Sequence, residues 1–202
     1  MSNQDTWDIY FIKIAKQVSE NSKCLSRKIG SVLVKDKAII STGYNGAPRG
    51  VKHCEDRTTD FYEELDRMSP KKEYCDGHCY DISSSMNCSG CGKLKKHPAM
   101  KNGEKICPRR YLGYGSAEGL HLCSAGHAER NSLIQAARNG ICTKGSTLYC
   151  NCPLPCKECM IEIINAGVER IVCYMGPDYD EYSRILLCET DIRLTQIDKS
   201  LC

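Results

Sequence analysis

Apolar side chains recur along this chain with two spacings, and their order sets the expected architecture. Ile9, Ile12, Ile14, Ala15 and Val18 form a helical stripe within residues 5–21, opened by Asp5 and Thr6. Residues 29–34 and 38–44 read as two strands joined by the turn Lys35, Asp36, Lys37. A helical pattern returns at His127–Asn139, through Ala128, Leu133, Ile134, Ala136 and Ala137, and Gly140 closes it as a C-cap. After it come a strand at Ser146–Asn151, a helix at Cys156–Asn165 closed by Gly167, a strand at Arg170–Met175, a helix at Tyr179–Cys188 and a strand at Asp191–Ile197. Helices alternating with single strands predict an α/β sheet with helices on both faces.

Residues 46–124 break this rhythm, being rich in Gly, Cys, Lys and charged residues with little periodic apolar pattern. A structureless loop of that length is improbable inside a compact domain. Something other than a hydrophobic core is expected to hold it, and its cysteines suggest a metal. Domain organisation is therefore read as one domain over 1–202, carrying a Cys-rich insert at 54–123.

Composition narrows the function classes. The net charge of +3 is small, and the one basic cluster, Lys93, Lys95 and Lys96 with Arg109 and Arg110, is short. A nucleic-acid surface usually needs a broader basic bias, so a small-molecule partner is favoured. No apolar run approaches the roughly 20 residues of a membrane span, and the N-terminus lacks the pattern of a signal peptide. A cytoplasmic location is expected, where thiols stay reduced. The 16 cysteines then point to metal rather than to disulfides.

Two segments carry the chemistry: His127, Ala128, Glu129, and Pro155 through Cys159. Each opens a predicted helix. Cys156 and Cys159 are three apart, so their sulfurs share one face of a first helical turn, where the helix end favours the thiolate. With His127 they make a Cys2His set, three protein ligands with a fourth position open, which is the form of a catalytic zinc site. Glu129 is suited to move protons between water, a ring nitrogen and departing ammonia. His127 and Glu129, at i and i+2, would diverge on a regular helix. They can share a site only if His127 stands at the frayed helix start. Either segment alone is a weak signal; together, in this order, they match the zinc deaminase signature.

Residues Gly126–Asn131 with Cys152–Cys159 resemble the cytidine/deoxycytidylate deaminase superfamily. Ser41–Gly50 and Ser26–Val32 resemble its deoxycytidylate branch, and the likeness spans 8–53 and 121–198. It implies a three-layer α/β/α sandwich with a five-stranded mixed sheet. It also implies Zn2+ on His127, Cys156 and Cys159, with Glu129 as proton shuttle and hydrolysis of dCMP to dUMP and ammonia. Asn45 falls where such enzymes grip the nucleotide, and Tyr179 corresponds to an aromatic near it. Relatives sharing Gly43–Gly46 are commonly hexamers, regulated by dCTP or dTTP with Mg2+. Other zinc deaminations (of dCTP, cytidine, a riboflavin precursor or tRNA adenosine) share the metal chemistry, and a zinc-ribbon nucleic-acid module is the reading from another class.

From the residues themselves, Gly43, Gly46 and Gly50 would let backbone approach a nucleotide, Asn45 offers a donor and an acceptor, and Arg27, Lys28 and Arg49 could meet a phosphate. A structural zinc is expected in the insert. Cys75 or Cys79 with Cys88, Cys91 and Cys107 is the first candidate set, and relatives suggest Cys54, His121 and Cys123, with Cys24. Cys142, Cys150, Cys173 and Cys188 are read as core thiols.

Overall fold

The computed structural model describes residues 3–68, 105–115 and 118–201. The chain forms two compact units, one of residues 1–23, 27–46 and 125–202, the other of 24–26 and 47–124.

The first unit is built on five strands, β1 (Gly30–Lys35), β2 (Ala38–Tyr44), β3 (Thr147–Cys150), β4 (Arg170–Tyr174) and β5 (Arg193–Ile197), in the order β2-β1-β3-β4-β5. β1 is antiparallel to β2 and β3, while β3, β4 and β5 run parallel, so the sheet is mixed as expected. Asp36 and Lys37, both at positive φ, turn the β1–β2 hairpin.

Alternate strand residues divide between two apolar layers, as a period of two requires. Val32, Val34, Tyr149, Val172 and Tyr174 pack on Phe11, Ile12 and Ala15 of α1 (Asn3–Ser19). Leu33, Leu148, Cys150, Ile171 and Cys173 face the other way. There they meet α4 (Ala128–Arg138), α5 (Lys157–Asn165) and α6 (Glu181–Cys188) through Leu133, Met160, Ile163 and Leu187. The result is an α/β/α sandwich. Asp8 is buried at 2% exposure, and a bidentate pair with Arg170 (2.8 and 2.6 Å) plus the Tyr149 hydroxyl (2.9 Å) fastens α1 to the sheet.

The second unit corrects the expectation that the insert has no core. Its helix α2 (Thr59–Met68) places Tyr62 and Leu65 against Ile106 and Leu112, with Phe61, Tyr111, Tyr114 and Leu122 around them. The Tyr62 hydroxyl donates to the Ile106 carbonyl (2.6 Å), next to the short helix α3 (Pro108–Tyr111). Burying aromatic area of this kind contributes to ordering part of the insert.

Candidate active site

The N-termini of α4 and α5 carry the predicted chemistry. His127 is the N-cap of α4, with extended backbone (φ −71°, ψ 152°), so its ring leaves the chain before the helical screw begins. Glu129 sits within the first turn. That break resolves the i, i+2 conflict, because only one of the two residues obeys helical geometry. Cys156 caps α5 in the same extended manner (φ −66°, ψ 165°), and Cys159 lies in its first turn.

His127 Nδ1 lies 3.3 Å from the sulfurs of both Cys156 and Cys159, which are 3.6 Å apart. Ligand atoms of one tetrahedral zinc should stand about 3.5 Å from each other, given bond lengths of about 2.1 to 2.3 Å. The donor set therefore fits Zn2+ by spacing as well as by chemistry. Hydrogen bonding with Cys159 holds Cys156 down at about 4, and the same bond, with burial, raises Cys159. One thiolate is thus already favoured, and the two helix ends add to that preference. The His127 imidazole is raised, chiefly by its bond to Cys156.

Glu129 is 4% exposed, and burial raises its carboxyl above the ordinary range. Its Oε1 accepts from the Cys152 thiol at 3.6 Å. A buried carboxylate beside the triangle, with its proton affinity raised, is suited to take and return protons.

The segment at 41–50 acts in part differently from the sequence reading. A Cβ at Gly43 would meet the Ala128 carbonyl and the Ser132 nitrogen of α4 at 2.3 Å each. The close approach there is to a helix, not to a nucleotide. Ser31 and Ser41 hydroxyls bond the carbonyls of Ala128 and Ser132 (2.7 Å each), and Gly46 pairs with Gly126 through backbone bonds of 3.1 and 2.8 Å. Strand and loop together set where His127 begins.

Asn45 is 7% exposed; its Oδ1 accepts from Ile29 N (2.8 Å) and its Nδ2 donates to the Arg27 carbonyl (2.9 Å). One amide proton and one lone pair stay available for a ligand. The exposed Arg27 guanidinium lies 5.9 Å from the Tyr179 ring centroid, so two residues distant in sequence meet. Lys28 pairs with Glu20 at 3.3 Å. Asp180, which sequence reasoning missed, accepts from Lys157 N (3.1 Å) and Tyr182 N (3.0 Å) and so ties the starts of α5 and α6 together. An Asp just before a helix was the available signal.

In the second unit Cys54 is grouped with Cys107, Cys24 and Cys123. Its thiol is pushed up to about 11, first by burial and then by Cys107 and Cys24, with Arg57 acting the other way. Cys107 thus associates with Cys54 rather than standing apart. Among the described residues no three of these ligands lie within 4.8 Å of one another, so this group is looser than the His127 triangle. His121 packs edge-on to the Tyr114 ring (centroids 6.0 Å apart), and Cys75, Cys79, Cys88 and Cys91 lie outside the described residues. Of the thiols expected in the core, Cys150 and Cys173 are buried, but Cys142 and Cys188 are exposed. No helix among the described residues is long and apolar enough to cross a membrane.

The chain is similar to proteins of known name. Deoxycytidylate deaminase of Schizosaccharomyces pombe is 27% identical over 191 residues, 95% of this chain and 44% of the relative. The enzyme of the same name from phage T4 is 32% identical over 161 residues, 80% of this chain and 74% of the relative. The chain spans under half the length of its yeast relatives, 44% and 45%. Among solved structures, dCMP deaminase from cyanophage S-TIM5 in complex with dCMP and dUMP has a TM-score of 0.58 at 19% identity, covering 98% of this chain and 99% of that one. The model of the cytidine and deoxycytidylate deaminase zinc-binding region matches residues 5–175, a span that includes His127, Glu129, Cys156 and Cys159, and the chain belongs to that family.

Proposed function

We propose that this protein hydrolyses dCMP to dUMP and ammonia. The observation that carries the reading is the His127, Cys156, Cys159 triangle beside a buried Glu129. Zn2+ held by those three residues would supply an acidified water as the nucleophile. Glu129 would take a proton from the attacking water and deliver it to the ring nitrogen as the C4–O bond forms. It would then take the proton of the new C4 hydroxyl and pass it to the amino group, so that the C4–N bond breaks, a carbonyl is left at C4 and ammonia departs. Burial suits it to this exchange by lifting its proton affinity toward neutral pH.

For substrate, support comes from relatives bearing the deoxycytidylate deaminase name and from the Arg27–Tyr179 pair, a cation beside an aromatic face. Arg27 meets the 5′-phosphate, and Asn45 offers its remaining donor and acceptor to the nucleotide. A structural zinc at Cys24, Cys54, Cys107 and Cys123 completes the proposed metal content, with any further ion drawing on Cys75, Cys79, Cys88 and Cys91. Homo-oligomeric assembly, control by dCTP or dTTP with Mg2+ and a cytoplasmic location belong to the same reading.

The test is ammonia release from a panel of dCMP, deoxycytidine, dCTP, cytidine and a tRNA adenosine substrate, for wild type and Glu129→Gln. Preference for dCMP, with the variant ~10² to 10⁴ slower but still zinc-loaded, is expected. Equal rates on dCMP and deoxycytidine would overturn the nucleotide assignment. Glu129→Gln within tenfold of wild type would overturn the shuttle.

A further inference from the structure

Among the described residues one side chain donates a hydrogen bond to Glu129, and it is an unusual donor: the thiol of Cys152, 3.6 Å from Oε1. Cys150 stands behind it, and the ligand atoms of Glu129, Cys150 and Cys152 all lie within 4.8 Å of one another. Neither thiol belongs to the triangle that fits zinc.

The direction of these bonds follows from what each group can accept. Cys150 sends its own proton toward the Val172 carbonyl, 3.9 Å away. Cys152 then has one proton and two acceptors in reach, a thiol sulfur and a carboxylate. Sulfur is a weak acceptor and an ionised carboxylate a strong one, so the proton points at Glu129.

Cys152 can serve as a fixed donor because its backbone is held. Its carbonyl accepts from Tyr174 N at 2.9 Å, at the end of β4. The preceding Asn151 donates its N–H to the Gly30 carbonyl (3.2 Å), and its Oδ1 accepts from Gly30 N (2.7 Å). Pro153 stiffens the chain on the other side. The thiol is thus carried by the sheet, whereas Glu129 is carried by a helix, and the bond between them fixes the carboxylate in both frames.

We infer that Cys152 is a positioning residue for the proton shuttle: its thiol occupies Glu129 Oε1 and so orients the carboxylate, leaving Oε2 for the reacting water and base. This rests on the deaminase reading above. A positioned general base must sit within hydrogen-bond reach of the proton it moves, and loss of the donor lets the carboxylate rotate out of that arc. The effect should fall on turnover, since substrate binding does not involve this bond.

The experiment compares zinc-loaded wild type, Cys152→Ala and Cys152→Ser, with melting temperature and zinc content measured alongside. Cys152→Ala should lose about five- to tenfold in kcat with KM within about twofold, as expected for a weak donor to a charged acceptor. Cys152→Ser, which restores a donor, should recover kcat to within about twofold. Turnover of Cys152→Ala equal to wild type overturns the inference, as does a Ser variant no better than Ala, or a loss confined to KM or zinc. A second readout needs no activity: the S–H stretching band isolated by subtracting the Cys152→Ser infrared spectrum from wild type. A bond to carboxylate lowers its frequency, and Glu129→Gln should raise it again. A band indifferent to Glu129→Gln refutes the contact even if dCMP proves not to be the substrate.

Discussion

Gly43→Ala is the most demanding test of how the fold makes the site. The added Cβ would lie 2.3 Å from the Ala128 carbonyl, 2.3 Å from the Ser132 nitrogen and 2.9 Å from the Asn131 carbonyl carbon. All three are backbone atoms of α4, so no side chain can swing aside. Relief to ordinary contact distance requires the first turns of α4 to retreat from β2 by about 1 Å. Overpacking of this kind costs about 1–3 kcal/mol. The retreat also stretches the buried bonds from Ser31 and Ser41 to that helix, both 2.7 Å, at about 1 kcal/mol each. Together these predict roughly 3 to 5 kcal/mol, or a melting point about 6 to 20 °C lower for a chain of this size. Because the same turns carry His127 and Glu129, turnover should fall about 10²-fold, the cost of a 1 Å misplacement. Thermal unfolding, zinc content and ammonia release from dCMP measure the three effects. Gly50 supplies the control: it has φ +81°, but nothing lies within 4 Å of its Cβ position, so Gly50→Ala should disturb only local backbone. A Gly43→Ala protein that melts and turns over like wild type would show that α4 is not seated on β2 as described.

Asn45→Ala should lower both stability and affinity for dCMP, since it strands the Ile29 N–H and releases the Arg27 carbonyl, at about 1–3 kcal/mol; an unchanged melting point would contradict those bonds. Cys54→Ser should remove about one zinc per chain by elemental analysis and sensitise the second unit to protease, leaving the His127 metal in place; wild-type zinc content would argue against the Cys24, Cys54, Cys107, Cys123 assignment. Alkali should weaken the fold through Cys150 and Cys173. The adjacent Cys152 thiol draws Cys150 down, but burial and neighbouring charges outweigh it and leave it at about 11, while burial lifts Cys173 to about 12. A raised thiol keeps its proton in the fold after the unfolded chain has lost it, so stability is full below about pH 9 and falls as pH climbs toward 11, by at most about 1.4 kcal/mol per unit for each group. Melting points of reduced protein from pH 8 to 11 measure that slope, which Cys150→Ser should reduce.

The sequence by itself determined whatever depends on neighbours along the chain. Strand residues such as Val32, Leu33 and Val34 alternate between two faces because extended backbone has a period of two. His127 and Cys156 were readable as helix starts, and three-residue spacing brings Cys159 back beside Cys156 in one turn. What tertiary structure decided involves residues far apart in sequence or contacts that side-chain chemistry does not advertise. Gly43 looked like a ligand loop because a missing Cβ says that something comes close, not what. Only packing reveals that α4 is the neighbour. Cys24, Cys54 and Cys123 were already suggested together by the resemblance, but that Cys107 stands with Cys54 only the fold shows, because a thiol carries no signal of its partners. The insert's small core escaped notice because Phe61, Tyr62 and Leu65 are too few to make a periodic stripe until Ile106 and Leu112 close over them. Cys150 was readable as a strand thiol and Cys152, just past that strand, carried no assignment; the fold sets Cys152 against Glu129 because the C-terminal end of β3 and the start of α4 meet there.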